Sequence, residues 1–129
     1  MTVPTELQVL LVEDSPLLCE RISELVESLP GVQLAGSVDS EGAAVDALTR
    51  GSIDVVILDL QLKKGTGFGV LRAISKVYKR PEVVVFTNFA LTTYRETALA
   101  MGAQHFLDKS RDYDQLPVVL LNLAQQRAG

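Results

Sequence analysis

Five short apolar runs recur along the chain and are separated by mixed stretches. They are Leu7–Val12, Val32–Val38 and residues 53–58, 83–86 and 105–107. The first, third and fourth contain unbroken runs of valine, isoleucine, leucine and phenylalanine, which is typical of strands buried on both faces of a parallel sheet. The run at Val32–Val38 alternates apolar residues with polar or small ones. It therefore predicts an edge strand.

Helical patterns fill the intervals between these runs. Leu18, Ile22, Leu25 and Leu29 recur at helical spacing, and the preceding Ser15-Pro16 pair predicts a cap followed by a first-turn proline. Similar signals predict four more helices. The second runs from Ser40 through Leu48 with Gly51 after its end, and the third starts at Thr66 and carries Val70, Leu71 and Ile74. The fourth covers 92–101 with Gly102 after its end, and the fifth begins at about 112–114 with Pro117 in its first turn.

The order of elements is a strand followed by a helix, five times over. This alternation predicts a doubly wound α/β fold with right-handed crossovers around a five-stranded parallel sheet. The length of 129 residues fits one domain, 1–129 with a core over about 7–126, and the hydrophobic content of 47% is enough to fill that core.

Charge and composition narrow the class of protein. The net charge of −4 argues against nucleic acid as a direct partner of this domain. No apolar run approaches the roughly 18 residues that a membrane helix needs, and the first residues lack the pattern of a signal peptide. The single cysteine, Cys19, fits a reducing compartment. We therefore expect a cytoplasmic protein that does not enter a membrane.

Polar residues follow four of the five predicted strands. Glu13 and Asp14 follow the first, Asp59 the third, Thr87 with Asn88 the fourth, and Asp108 with Lys109 the fifth. Ligands of parallel sheets bind beyond the carboxyl ends of the strands, so we expect these side chains to meet at one edge. Taken singly, Asp14 or Asp59 is equally well explained as a helix cap, and Lys109 as a solvated lysine.

The charges at this edge indicate a cation. Glu13, Asp14 and Asp59 give −3 and Lys109 gives +1, so the set carries −2. Clustered carboxylates repel one another unless something offsets them, and hard oxygen ligands favour Mg²⁺. An aspartate beside a metal, a lysine and a hydroxyl can act as a nucleophile and form an acyl phosphate.

Four segments, in this order and spacing, resemble the bacterial two-component response-regulator receiver domain over about residues 7–126. They are LLVEDS, VVILDLQLKKGTGFGVL with Gly67 eight residues after Asp59, VVVFTNFA, and GAQHFLDKS with Phe106 three residues before Lys109. The resemblance implies a (βα)5 flavodoxin-like fold with strand order 2-1-3-4-5. It also implies a two-component phosphorelay that depends on Mg²⁺.

The resemblance also implies roles for individual residues. Asp59 is the phosphorylation site. Asp14 and Asp59 bind Mg²⁺ directly, Glu13 binds it through water, and the backbone carbonyl of Gln61 completes the protein ligands. This implied set matches the carboxylate-rich edge that the strand ends already indicated.

Signal output is assigned in the same way. Thr87 and Lys109 contact the phosphoryl oxygens, and Phe106 changes rotamer as Thr87 moves inward. A histidine kinase or phosphotransfer domain is the implied donor. An unknown downstream protein, or a second copy in a homodimer, would read the face formed by the fourth helix, fifth strand and fifth helix.

Several positions depart from the family pattern. Ser110 follows Lys109 where many receivers have a cis proline, so the sequence does not signal that cis bond and leaves the geometry of this peptide open. Lys63 replaces a common proline, which suggests a looser loop. Asn88 replaces a small residue and would narrow access to Asp59. Gln61 and Phe89 occupy positions that tune dephosphorylation; Phe89 cannot orient an attacking water, whereas the amide of Gln61 could. We therefore expect a phosphorylated state that lasts longer than in fast chemotaxis-type receivers.

Two other functions compete with the signalling switch. A Mg²⁺-dependent phosphohydrolase of the haloacid dehalogenase type usually carries a second aspartate two residues after its nucleophile, where this chain has Gln61. A flavodoxin-like cofactor binder needs a phosphate-binding loop rich in Ser, Thr and Gly after the first strand, and EDSPLL is not one. We therefore expect no enzyme activity beyond self-phosphorylation from a donor and autodephosphorylation. A stand-alone regulator and a receiver cut from a longer one remain open.

Overall fold

The computed structural model describes residues 6–128, which form one five-stranded parallel sheet with helices on both faces. The strands are β1 Leu7–Val12, β2 Val32–Val38, β3 Val55–Leu58, β4 Glu82–Thr87 and β5 His105–Asp108. The helices are α1 Pro16–Ser28, α2 Glu41–Thr49, α3 Gly67–Ile74, α4 Thr92–Ala100 and α5 Gln115–Ala128. The strand order is β2-β1-β3-β4-β5, which confirms the predicted fold class and order, with β2 at an edge. Residues 1–5 and 129, part of the predicted domain, lie outside the described residues.

The core consists of two layers, one on each face of the sheet. α1 and α5 pack through Ile22, Val26, Leu116 and Leu120 against alternate residues of the central strands. α2, α3 and α4 cover the other face and enclose a second cluster that includes Phe106. Because both faces are covered, the central strands are apolar at nearly every position, as their unbroken hydrophobic runs predicted.

Side-chain caps fix the starts of the first three helices at the predicted residues. Ser15 accepts a hydrogen bond from the backbone N–H of Leu18, Ser40 from that of Ala43, and Thr66 from that of Gly69. These local signals therefore place the helices that follow β1, β2 and β3.

The predicted segments and the observed elements differ by one to three residues at β3, β4, β5 and α5. β3 begins at Val55, not at residue 53, because the Asp54 carboxylate takes the N–H of Gln8 at 2.8 Å and the ladder starts one residue later. β4 and β5 each end one residue beyond the predicted run, so Thr87 is the last residue of β4. α5 begins at Gln115, after a turn closed by a bond from Gln115 N–H to the Asp112 carbonyl.

Membrane insertion through a helix finds no support in the described chain. None of its helices combines the length and hydropathy that crossing a bilayer requires.

Candidate phosphoryl-acceptor site

Four strand ends bring the predicted polar residues together at one edge of the sheet. Lys109, directly after β5, lies with its Nζ 2.5 Å from Glu13 Oε1 and 2.8 Å from Asp59 Oδ2. Thr87, at the end of β4, donates its hydroxyl to Asp59 Oδ1 at 2.8 Å. The residues after β1 and β3 therefore meet those of β4 and β5 as the parallel topology requires.

Asp59 is held by contacts on both carboxylate oxygens. Its Oδ1 accepts from the Thr87 hydroxyl and from the backbone N–H of Gln61 at 3.1 Å, and its Oδ2 accepts from Lys109. The residue is 7% exposed and lies among the residues lining an open depression of about 460 Å³. Asp59 does not cap α3, because Thr66 does. The helix-cap explanation of this aspartate is therefore excluded.

The acidic pair after β1 is not a helix cap either, because Ser15 caps α1. Glu13 is 3% exposed, and its Oε2 accepts from the backbone N–H of Ser15 at 2.9 Å while its Oε1 faces Lys109. Asp14 accepts through Oδ2 from the backbone N–H of Lys63 at 2.6 Å. Both carboxylates thus take part in the structure of the candidate site.

Lys109 is a buried cation, with a side chain only 6% exposed. Burial by itself lowers the pKa of an ammonium group, but the hydrogen bonds to Asp59 and Glu13 and the charges of these two carboxylates outweigh it. The pKa of Lys109 is therefore raised above its ordinary value of 10.5. Lys109 stays charged at neutral pH and offsets one of the three negative charges.

Three carboxylates at this edge form a group that suits a hard divalent cation. One ligand oxygen each from Glu13, Asp14 and Asp59 lies within 4.8 Å of the others. With Lys109 the set carries −2, which a divalent ion would neutralise. Mg²⁺ prefers one or two carboxylates and keeps several waters, so this donor set fits it. Gln61 lies beside Asp59 through its N–H, and its carbonyl remains a predicted ligand.

The loop after β3 makes a contact to β1 that the sequence did not predict. Lys63 was expected to loosen it, because it replaces a common proline. Its backbone N–H instead donates to Asp14, a hydrogen bond that proline cannot make. This contact ties the loop to the end of β1, while the looser loop expected from the sequence stays a prediction.

The two predicted switch residues both lie inward. Thr87 is fully buried against Asp59, and Phe106 is 7% exposed within the core under α4. The guanidinium of Arg95, on α4, lies 5.9 Å from the centre of the Phe106 ring. A cation at this distance is attracted to the face of an aromatic ring. The fold therefore places a charged α4 side chain against the candidate switch aromatic.

The residues expected to tune access and dephosphorylation are divided between two surfaces. Asn88 is exposed and lines the depression around Asp59, as does Gln61. Phe89 is 38% exposed and lines a neighbouring apolar pocket. Its ring packs edge-on against the ring of Tyr94, with 6.2 Å between the ring centres. The peptide bond between Lys109 and Ser110, whose geometry the sequence left open, is trans.

Sequence reasoning missed two side chains near the site, Arg95 and Glu41. Glu41 begins α2 and accepts through Oε1 from the backbone N–H of Thr66 at 2.9 Å. The one local signal was the absence of a glutamate or glutamine at Gly69, three residues after the Thr66 cap, where a capping box would carry it. The sequence thus shows that residue 69 cannot accept a hydrogen bond from the Thr66 N–H, but it does not show which residue does so.

Comparisons with known proteins agree with this geometry. A model of the response regulator receiver domain family matches residues 9–120. The nitrate/nitrite response regulator protein NarP of Escherichia coli (strain K12) is 30% identical over 129 residues, which are 100% of this chain and 57% of that protein. A protein-glutamate methylesterase/protein-glutamine glutaminase of Syntrophus aciditrophicus (strain SB) is 32% identical over 114 residues, 84% of this chain and 33% of that protein.

A solved structure supports the fold. The response regulator domain of Thermotoga maritima CheB superimposes with a TM-score of 0.82 at 22% identity, covering 95% of this chain and 96% of that one. The chain thus spans 57% and 33% of the two full-length relatives above but nearly all of this isolated domain. From the family match, the fold and the acidic edge together, the chain belongs to the response regulator receiver domain family.

Proposed function

We propose that this domain is a phosphorelay signalling switch that accepts a phosphoryl group on Asp59 from a histidine kinase or phosphotransfer domain. The observation that carries the proposal is the setting of Asp59. Its carboxylate lies in an open depression, between the ammonium of Lys109 and the hydroxyl of Thr87. A carboxylate at the edge of an open depression, with a hydrogen-bond donor on each side, is arranged for attack on phosphorus.

Transfer of the phosphoryl group to Asp59 needs no reactant other than the phosphorylated donor. A carboxylate oxygen of Asp59 forms a bond to phosphorus as the bond from phosphorus to the donor's histidine nitrogen breaks, and that nitrogen keeps the electron pair. The product is an acyl phosphate. The Lys109 ammonium and the Thr87 hydroxyl, now bonded to Asp59, are near enough to turn to the new phosphoryl oxygens and stabilise their charge.

Mg²⁺ is the cofactor that we propose for the acidic edge. Asp14 and Asp59 would bind it directly, Glu13 through water, and the Gln61 carbonyl would complete the protein ligands. When bound, such an ion offsets the negative charge of an incoming phosphoryl group. The spacing of the three carboxylates supports this assignment.

Transmission of the signal would run from Asp59 through Thr87 to Phe106. Thr87 pairs with Asp108 and Val85 with Phe106, so movement at the end of β4 acts directly on β5. Leu99 on α4 and Val118 on α5 are exposed apolar side chains, 38% and 49% accessible. We propose the α4-β5-α5 face as the surface for a downstream protein or a second copy, since α4 and α5 each carry an exposed apolar side chain.

A turnover enzyme is the less favoured alternative. Gln61 stands where a phosphohydrolase of the kind considered above has its second aspartate, and its N–H is bonded to Asp59. Lys109 and Thr87 stabilise the carboxylate itself, and a switch needs only one phosphoryl group per molecule. We therefore propose that the domain signals by protein contact and that its chemistry is limited to gaining and losing its own phosphate.

Phosphorylation can be tested directly with a small donor. The protein is incubated with Mg²⁺ and acetyl phosphate, and its intact mass is measured. We expect a single phosphate adduct that Asp59→Asn abolishes and that chelation of Mg²⁺ prevents. Asp46→Asn, on the exposed side of α2, is the matched control and should keep the adduct. Absence of the adduct, or its persistence in Asp59→Asn, would overturn the assignment, and steady release of phosphate from a separate ester would favour the enzyme.

The lifetime of the phosphorylated state gives a separate prediction. We expect the adduct to persist for minutes or longer after the donor is removed, because Phe89 carries no group that can orient an attacking water. Replacing Phe89 with glutamine should shorten the lifetime several-fold, because a side-chain amide can hydrogen-bond an attacking water and orient it. Decay is followed by intact mass after rapid desalting. Loss within seconds in the wild-type protein would contradict the prediction.

A further inference from the structure

Helix α3 has only half of a capping box within its own sequence. In a capping box the N-cap hydroxyl accepts from the N–H of the third helical residue, whose glutamate or glutamine in turn accepts from the N-cap N–H. Thr66 supplies the first half and accepts from Gly69 N–H at 3.1 Å. Gly69 has no side chain to supply the second half. The acceptor comes instead from Glu41, 25 residues earlier, whose Oε1 takes the Thr66 N–H at 2.9 Å.

The carboxyl group of Glu41 occupies the space that a side chain at Gly69 would need. A Cβ atom added at Gly69 would overlap the carboxyl carbon and both carboxyl oxygens of Glu41. One added at Gly65 would overlap the Cβ of Glu41, and Gly65 also has a φ of +85°. Two glycines thus open the start of α3 to a side chain from α2.

Glu41 also holds the preceding loop by its backbone, since its N–H donates to the Lys64 carbonyl at 3.1 Å. The same loop carries Gln61, whose N–H is bonded to Asp59, and Lys63, whose N–H is bonded to Asp14. The loop is therefore fixed to α2 at one end and to two of the candidate metal-binding carboxylates along its length.

We propose that Glu41 is a positioning residue for the Mg²⁺ site: it completes the α3 cap from α2 and so sets the loop that carries Gln61 and Lys63. Glu41 does not touch the reacting atoms. It acts through the backbone of the loop, whose placement decides where the Gln61 carbonyl and the Asp14 carboxylate lie. The inference rests on the proposed function, because it concerns the cation of that same site.

Moving the carboxylate between the two helices tests the proposal. Mg²⁺ affinity is measured by isothermal titration calorimetry for the wild type, Glu41→Ala, Gly69→Glu and the double variant Glu41→Ala/Gly69→Glu. Outer-shell partners of metal ligands are worth roughly 10–100-fold in affinity, and Glu41 acts one step further out. We expect Glu41→Ala to weaken Mg²⁺ binding by about 3- to 10-fold, and the double variant to return to within about threefold of the wild type.

The direction in which Gly69→Glu changes the Mg²⁺ affinity is the more decisive measurement. With Glu41 present, a glutamate at residue 69 meets an occupied space and should weaken Mg²⁺ binding. With Glu41 replaced by alanine, the same glutamate completes the capping box within α3 and should strengthen it. Such a reversal is expected only for two residues that share one space and one hydrogen bond. Equal effects of Gly69→Glu in both backgrounds would overturn the proposal.

A neighbouring cap separates positioning from stability. Ser40→Ala removes the bond from Ala43 N–H that caps α2 but leaves the contacts of Glu41 in place. We expect both Ser40→Ala and Glu41→Ala to lower the urea midpoint, because each removes a hydrogen bond at a helix start. Ser40→Ala, however, should leave the Mg²⁺ dissociation constant unchanged. Equal loss of Mg²⁺ affinity in Ser40→Ala and Glu41→Ala would show a general effect of stability and overturn the inference.

The outcomes also separate this inference from the proposed function. A wild-type protein that binds Mg²⁺ and is phosphorylated on Asp59, with Glu41 variants that bind Mg²⁺ equally well, contradicts the inference alone. If the Gly69→Glu variants show the reversal but the wild-type protein takes no phosphate, the proposed function alone is contradicted. A wild-type protein that binds no Mg²⁺ overturns both.

Discussion

Replacing Lys109 with methionine is expected to lower the free energy of unfolding by about 3–5 kcal/mol when Mg²⁺ is absent. The reason is the charge left behind. Glu13 and Asp59 are 3% and 7% exposed, and both are hydrogen-bonded to the Lys109 ammonium. Methionine fills a similar volume but leaves two buried carboxylates facing each other. Urea denaturation with a chelator present, at neutral pH, measures the loss.

The matched control for this experiment is Lys64→Met, the same substitution at an exposed lysine of the loop after β3. Its effect should stay within about 0.5 kcal/mol, as for most surface changes. Adding Glu13→Gln to Lys109→Met should recover part of the lost stability, since it removes one of the two unpaired charges. A Lys109→Met protein that unfolds at the wild-type urea concentration would contradict the ion-pair interpretation of the site.

The pH dependence of this difference follows from the direction of the Lys109 shift. Burial lowers the pKa of the ammonium, but the hydrogen bonds to Asp59 and Glu13 outweigh it, so the pKa of Lys109 is raised in the folded protein. A raised pKa gives stability that is fully present below the ordinary value of 10.5 and is lost as the pH rises through the folded value. The gap between wild type and Lys109→Met should therefore be constant from pH 7 to 9 and narrow only above about 10.5.

Gly67→Ala is expected to lower the free energy of unfolding by about 1–3 kcal/mol and to slow phosphorylation of Asp59. A Cβ atom at this position would overlap the backbone carbonyl oxygen of Asp59 and lie 2.7 Å from the Cα of Leu60. Backbone atoms cannot rotate away as a flexible side chain can. The clash must therefore shift the strand end that carries Asp59, or break the bond from Gly67 N–H to the Leu60 carbonyl.

Gly42→Ala provides the comparison for Gly67→Ala. Gly42 lies in the first turn of α2, and an added Cβ there meets nothing within 4 Å. That change should be neutral or stabilising by up to about 1 kcal/mol. Stability is measured by urea denaturation, and the rate of adduct formation by intact mass with acetyl phosphate. If the two alanine variants have the same free energy of unfolding, the close contact of Gly67 with the Asp59 backbone does not explain why residue 67 is a glycine.

The sequence by itself determined the fold class and the membership of the site. The unbroken apolar runs VLLV, VVIL and VVVF within residues 7–12, 53–58 and 83–86 predicted buried parallel strands, because strands covered on both faces of a sheet exclude polar residues. Once the strands were known, the residues after them had to meet at one edge. Ser15, Ser40 and Thr66 placed the helices, since a side-chain cap acts within three residues of itself.

The tertiary structure alone decided how that edge is held in place. The bond from Lys63 N–H to Asp14, the Glu41 carboxylate over Gly69 and the Arg95 guanidinium on the Phe106 ring join residues of different elements. Each depends on the distance and angle at which two elements pack, and no local pattern encodes these. Hydrophobic spacing and capping residues specify which elements form and which strand ends converge. Packing of α2 against α3, and of α4 against β5, specifies which backbone and side-chain groups then support Asp59.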